Sequence, residues 1–474
     1  MRNVLVAVLV SWLSVSSHAQ VPVPVEAGQS LPSAPVPQAT AGQVPAGLPA
    51  NGQQPVGQQP VGQPPPVGSQ TSLSLKQAEA LALNNNPQIS LARLTALASQ
   101  QVTREVRSNL WPTATANLTG VDADPGSRIT AGALNNPVIY QRAAAGVTVS
   151  QLITDFGRTT SLASSANFAA KAENQNALAT KEQVLLAVDQ AFYGALQAHA
   201  VLEVAQQTVS ARQTVSDQVG SLFSNKLRSQ LDYSFANVNL AQSKLLLLDA
   251  QNNENAALTI LSSVLGYSAL QNFQLVEDTT PITVPPGDVN DLISQAFSTR
   301  PEILALNFEY QSAQKFHSAE RDLFLPTIQA VGVVGDTPVR NPLLSNWYGA
   351  VGVNVSIPLL NGSLYSARAR EALLREEAVQ ARELDLRNRI SRDVRTSWLG
   401  ANAAFERLDV TRQLLDQANL ALDLAQTRYK LGLSSIVELS QAQLQQTQAQ
   451  ISNAQAGYDY RLALAVLRYQ TTGI

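Results

Sequence analysis

Proline placement constrains this chain more than any other feature. Its 24 prolines leave two long gaps, from Val138 to Thr280 and from Leu359 to Ile474. Both tracts are rich in Ala, Leu, Gln, Glu and Arg, and apolar residues recur at helical spacing, as at Val184, Leu185, Val188, Phe192, Ala195 and Leu202. A helix of about 65 residues extends roughly 100 Å at 1.5 Å per residue, far more than a globular domain uses. These are coiled-coil dimensions.

The two tracts repeat one another. Asn86-Pro87-Gln88-Ile89 aligns with Arg300-Pro301-Glu302-Ile303, and Leu110-Trp111-Pro112-Thr113 with Phe324-Leu325-Pro326-Thr327, both at an offset of 214. Gly146 to Ser150 matches Gly352 to Ser356 at an offset of 206, as do Phe192-Tyr193-Gly194-Ala195 with Trp398-Leu399-Gly400-Ala401, and Leu227, Ser229, Leu231 and Asp232 with Leu433, Ser435, Val437 and Glu438. Five ordered matches at nearly constant spacing imply an internal duplication, with a longer loop in the first copy between Pro112 and Gly146. Each copy reads helix, proline, strand, loop, strand, helix, turn, helix.

The strand readings rest on alternation. Thr113, Thr115, Asn117 and Thr119 alternate with Ala114, Ala116 and Leu118. In the second copy Trp347, Gly349, Val351, Val353, Val355 and Ile357 share one face, while Tyr348, Ala350, Gly352, Asn354 and Ser356 share the other. Thr327 to Gly335 alternates poorly and is the weakest of the four strands. The lengths suit transmembrane β-strands of about 9 to 11 residues, with Val147, Val149, Trp347, Val351, Val353 and Val355 as membrane-strand candidates. A half-buried hairpin in a soluble sheet fits the same pattern. Four strands cannot span a bilayer alone, because both sheet edges would leave backbone groups unpaired in hydrocarbon. If these strands are in a membrane, chains must pool them, and four from each of three chains would make twelve.

At the amino terminus, Arg2, an apolar run from Val4 to Leu13 and the small residues Ser17 and Ala19 predict a secretory signal peptide over 1–19. An uncleaved membrane anchor is the competing reading of that run. Residues 20–70 hold repeats such as Gln-Gln-Pro-Val-Gly and a single charge, Glu26, and are expected to form a disordered spacer. The rest divides into a first repeat, 71–280, and a second, 281–474. A formal net charge of −3 with 14% charged residues argues against a nucleic-acid partner. The absence of cysteine excludes disulfides, thiolate metal sites, thiol nucleophiles and a cysteine-borne lipid, so strands would have to hold the chain in its membrane.

Three motifs then carry a resemblance: the paired Pro87 and Pro301, Ile357-Pro358-Leu359-Leu360-Asn361-Gly362 after the last strand, and Arg428-Tyr429-Lys430-Leu431-Gly432-Leu433 before the last helix. Together they resemble the outer membrane efflux protein family, the TolC-like channels, over residues 71–474. The resemblance implies a mainly α fold with a small β part. It further implies a homotrimer with a transmembrane β-barrel of four strands per chain and a long periplasmic α-helical barrel. Expected partners are outer-membrane lipid, a periplasmic adaptor protein and an inner-membrane transporter. The chain is expected to be the passive exit duct of a tripartite efflux or secretion system, without cofactors and without enzymatic activity. A periplasmic adaptor or coiled-coil scaffold without its own channel is the alternative.

The same resemblance selects site residues. Leu431, Gly432 and Leu433, with Lys226 and Leu227 in the other turn, are the adaptor-docking candidates. Glu438 matches a position where the family often places an acid at the periplasmic constriction, and Gln441 stands where some members have a second. Three carboxylates about 7 Å apart would repel by roughly 2 kcal/mol per pair and draw cations. Asp232, the first-copy equivalent of Glu438, and Tyr429 complete the constriction set, although Ser434 stands where an arginine helps lock some relatives.

Other signals receive bland readings. Asp155-Phe156-Gly157 spells a kinase motif without the loops that motif needs. His199 and His317 lack ligand spacing. The arginines from Arg368 to Arg395 interleave with Glu371, Glu376, Glu377, Glu383 and Asp385, as on a salt-bridged helix face. Trp347 and Tyr348 suit either an interfacial girdle or a buried core.

Overall fold

The computed structural model describes residues 71–124, 141–277, 282–285, 287–339 and 345–472. The signal peptide, His18, the spacer and part of the longer first-copy loop lie outside these residues. The chain is mainly helical, with two small sheets. Its order is β1 (Thr71–Leu73), α1 (Leu75–Asn85), α2 (Pro87–Ser108), β2 (Thr113–Val121), β3 (Arg142–Thr154), α3 (Arg158–Ser224) and α4 (Gln230–Val264). There follow β4 (Phe273–Leu275), α5 (Val289–Thr299), α6 (Pro301–Arg321), β5 (Thr327–Val339), β6 (Trp347–Ser356), α7 (Leu364–Lys430) and α8 (Ile436–Thr471).

The proline-free tracts become α3 and α7, of 67 residues each. Both ends of α7 lie 206 residues after those of α3. The single helix expected before each strand pair is instead two. Pro87 and Pro301 each begin the second one, while Asn86 and Arg300 before them are extended, at ψ 122° and 126°. Proline lacks the N–H that would continue the helix, and its ring forces the preceding residue out of the α region.

Gly157 at φ 107° and Phe156 at 56° turn strand β3 into α3, and Ser363 at 68° and Gly362 at 58° do the same before α7. Asp155, the first residue of the kinase-like triplet, is a cap. Its Oδ2 accepts the Thr159 amide at 2.7 Å and its Oδ1 that of Gly157 at 3.3 Å. The carboxylate thereby satisfies amides that the helix start leaves open.

Sheet order is β2-β3-β5-β6, with every neighbouring pair antiparallel. Registered residues share a face, so Ala116, Val147, Val334 and Gly349 form one row and Ala114, Val149, Gly332 and Val351 the next. All six membrane-strand candidates lie on this apolar face. Val351 is 91% exposed and Trp347 64%. The other face carries Thr113, Ser150, Thr115, Thr148 and Asn117. β5, expected to be the weakest strand, runs for 13 residues because it is paired on both sides. Its valines on both faces are why alternation failed there. Ile357 falls outside β6.

The tiny parallel pair β1 and β4, which three-residue strands give no periodicity to reveal, closes the largest core. There Leu73, Ala78 and Ala82 pack on Val184, Val188 and Phe192 of α3 and Leu261 and Leu265. Elsewhere α3 packs against its neighbours through Ala163, Ala170, Ala172 and Ala179, small residues that let helices approach closely. Among the described residues no helix is long and apolar enough to cross a membrane.

Within α3, next to Val188, Asp189 is 4% exposed. Its pKa is pushed from 3.8 to about 7, by burial first and then by the Glu79 carboxylate, with Arg468 acting the other way. A carboxyl whose native pKa exceeds its unfolded value costs nothing while both states are protonated. The cost grows as pH rises from about 4 to about 7. Asp189→Asn removes it, so melting temperature should rise at pH 8 and stay near the parent value at pH 4.5. Equal shifts at both pH values would contradict the assignment.

Candidate functional site

The site that the sequence selected is the pair of turns joining α3 to α4 and α7 to α8. Both helices stop in the same way. Leu227 N donates to Leu222 O at 2.8 Å and Lys226 N to Phe223 O at 2.9 Å; Leu433 N donates to Arg428 O at 2.8 Å and Gly432 N to Tyr429 O at 3.0 Å. The reversal requires a left-handed residue, supplied by Gly432 at φ 74° and, in the other turn, by Lys226 at φ 60°. Serines then cap the outgoing helices. Ser229 Oγ accepts from Asp232 N at 3.1 Å, and Ser435 Oγ accepts from Glu438 N at 3.3 Å.

This geometry leaves Leu227, Leu431 and Leu433 protruding, at 70%, 68% and 67% exposure. Three large apolar side chains are thus left exposed on two polar-capped turns. Lys226 is exposed beside them.

Below the turns, Tyr429 is 6% exposed within a cluster of Val219, Ala236, Ala425, Ile436, Leu439 and Ala442 that joins the two helical hairpins. Arg228, from the first turn, reaches across. Its Nη2 donates to Tyr429 O at 2.7 Å, and its guanidinium lies 4.2 Å from the Tyr429 ring centroid. Such a stack contributes about 0.5–2 kcal/mol, more as it is desolvated. Ser434 leaves the second copy without an arginine at this place, and the arginine that meets Tyr429 comes from the other copy: Arg228 corresponds to Ser434 at the repeat offset. The Tyr429 hydroxyl is buried with no hydrogen-bond partner among the described residues. Burial raises its pKa; Arg228 opposes that and Asp232 adds to it.

The acidic candidates are both engaged. Asp232 Oδ2 accepts from Ser229 N at 3.2 Å and Ser229 Oγ at 3.0 Å, completing a capping box. Glu438 Oε1 lies 3.1 Å from Arg428 Nε, at the end of the facing helix. Glu438 is thus half of a partly exposed ion pair. Gln441 is exposed one turn further along α8. Sequence reasoning missed the roles of Arg228 and Arg428. The second was visible in the hairpin, since Arg428 and Glu438 flank one turn; the first joins residues 201 apart and left no local signal.

Most of the arginines and both histidines set aside in the sequence meet acidic partners. Arg375, Arg387 and Arg389 pair with acids four residues earlier at 2.6 to 2.9 Å. His317 meets Glu376 at 2.9 Å and His199 meets Glu254 at 2.6 Å. Among the described residues no group of three or more His, Asp or Glu is placed to hold a metal ion.

The sequence model of the outer membrane efflux protein family matches residues 79–267 and 292–472. The chain belongs to that family, whose members act in the outer membrane as efflux channels. It is 26% identical over 182 residues to the outer membrane efflux protein BepC of Brucella suis, covering 38% of this chain and 40% of that protein. It is 22% identical over 383 residues to the probable outer membrane lipoprotein SilC of Salmonella typhimurium, covering 76% and 77%. The fold matches the Campylobacter jejuni CmeC outer membrane channel with a TM-score of 0.74 at 18% identity, over 84% of this chain and 85% of that one. Family and fold are those of channel proteins rather than enzymes.

A side chain at the left-handed position costs about 1 kcal/mol relative to glycine. Gly432→Ala should therefore speed hydrogen exchange of the α7–α8 turn about fivefold, and Lys226→Gly should slow that of the α3–α4 turn by a similar factor. Unchanged protection in both variants would show that the left-handed residues do not limit turn stability.

Proposed function

We propose that three copies of this outer membrane efflux protein assemble into one exit duct, passively conducting material delivered by an inner-membrane transporter through a periplasmic adaptor. The observation that carries the reading is the four-stranded sheet. It has one apolar exposed face, one small and polar face, and two outer strands, β2 and β6, without a second neighbour. Joining β6 of one copy to β2 of the next pairs those edges and closes twelve strands around an aqueous lumen, with Val351 and its row toward lipid. The long helices continue the lumen as a tube through the periplasm. The matched helix lengths, left-handed joints and turns support descent of the two halves from one duplicated unit.

At the far end, Leu227, Leu431 and Leu433 with Lys226 and Gly432 are the surface for the adaptor tip. Glu438, Gln441, Asp232 and Tyr429 form the constriction. Its closed state is held by Arg228 on Tyr429, which ties one hairpin to the other, and its selectivity is moderated by Arg428 on Glu438. Widening the tip requires the hairpins to separate, so these are the contacts to break.

Two measurements test the reading. Val351→Arg places a charge on the lipid face at a cost of about 2–4 kcal/mol per strand set, so detergent-stable trimers in the outer membrane should fall sharply; undiminished trimers would remove this face from lipid. In planar bilayers Arg428→Gln should raise cation over anion selectivity and Arg228→Ala should raise conductance. If neither quantity changes, the constriction lies elsewhere.

A further inference from the structure

Arg212 sits in α3 twelve residues before its end, roughly 18 Å from the turn. It is 8% exposed. Its Nη2 donates to Gln443 O at 2.8 Å and Thr447 Oγ1 at 3.2 Å, both on α8. It has no ion-pair partner among the described residues, in contrast to the arginines of α7. Burial alone pulls its pKa down to about 10. A guanidinium has five donor hydrogens, and withdrawing it from water without a counter-charge is costly.

The side chain lines a cleft of about 330 Å³ between α3, α4 and α8. None of the residues that line it is acidic, and several are hydroxyls or amides: Thr208, Asn239, Gln242, Ser243, Ser440 and Gln448. Asn239 Nδ2 donates to Ser440 Oγ at 2.7 Å, which joins α4 to α8 and leaves the Ser440 hydrogen to donate elsewhere. The Thr208 and Ser243 hydroxyls donate to Val204 O and Leu240 O of their own helices, so the donors that can turn to an anion are the Ser440 hydroxyl and the Gln242 and Gln448 amides, whereas a cation would face the arginine. The volume is ample for a tetrahedral oxyanion or a small carboxylate.

We propose that this cleft is an anion site, in which Arg212 takes a small oxyanion or carboxylate from the surrounding water and the Ser440 hydroxyl with the Gln242 and Gln448 amides completes its shell. The ligand neutralises the buried charge of Arg212 and bonds to three helices at once. Binding is therefore linked to the packing of α3, α4 and α8 just before the tip. The inference does not depend on the tip residues or on the direction of transport.

Equilibrium dialysis of the purified full chain in detergent, with radiolabelled sulfate against a chloride background of constant ionic strength, tests it. The parent should bind one sulfate per chain, displaced by phosphate and by acetate, and its melting temperature should rise with sulfate. Arg212→Gln should bind about tenfold more weakly or worse, as expected for the loss of one charge-assisted hydrogen bond, and its melting temperature should not respond. Where Arg212→Gln fails to fold, Ser243→Asp gives the same readout: a carboxylate built into the cleft should exclude sulfate without lowering the melting temperature in chloride. Absence of saturable binding to the parent, or equal binding by parent and variants, overturns the proposal. So does a parent that binds no sulfate while Arg212→Gln loses its trimers, which would assign the arginine to a neighbouring chain's carboxylate.

Discussion

Strands β2 and β6 each leave one row of backbone N–H and C=O groups without a partner in the chain's own sheet, and hydrocarbon offers none. Each such group costs several kcal/mol in lipid, which outweighs what individual side chains contribute there. A sheet with an apolar face 13 residues tall at its centre therefore has one consistent use in a membrane: closure with other copies. In the proposed trimer the same closure would fix the rest. Strands from neighbouring copies would set the spacing of the helices below them, and helices 67 residues long would pack sideways over their whole length. Alanine is the residue most often buried along α3 and α7, and its small side chain lets neighbouring helices approach closely.

Both halves of the chain use one set of joints, and the differences between them mark where function sits. At these joints left-handed residues fall at 156, 157 and 226 in the first half and at 362, 363 and 432 in the second, while Gly266 after α4 has no left-handed counterpart. At the tip the second half has glycine where the first has Lys226. At the equivalent of Ser434 the first half has Arg228, which stacks on the Tyr429 of the second. Likewise Asp232 serves as a capping-box acid while its counterpart Glu438 turns to Arg428. The two hairpins thus supply complementary halves of one contact, which in the proposed duct lies where they would part for the tube to widen.

Much of this was legible in the sequence, for physical reasons. Long helices announce themselves by the absence of proline, turns by glycine or by a capping serine, and three of the four membrane strands by alternation. Pro87 and Pro301 were in view as a repeated pair, but the helix breaks they impose after Asn86 and Arg300 were not drawn from them. The β1–β4 pair was hidden because three-residue strands about 200 residues apart carry no period. Contacts such as Arg228 on Tyr429 depend on how two hairpins are rotated against each other, which no local pattern encodes. β5 was underrated because it carries valines on both faces, Val331 and Val333 on one and Val334 on the other.

Closure of β6 onto β2 of another copy is the central claim, and the lack of native cysteine makes it directly measurable. A short panel of paired cysteines, one in β2 and one in β6, can be oxidised in intact outer membranes and separated under denaturing conditions. The account predicts a ladder of covalent dimers and trimers that ends at three, with the trimer ring-closed. Oxidation that yields only monomers, or a ladder that continues past three, would contradict it.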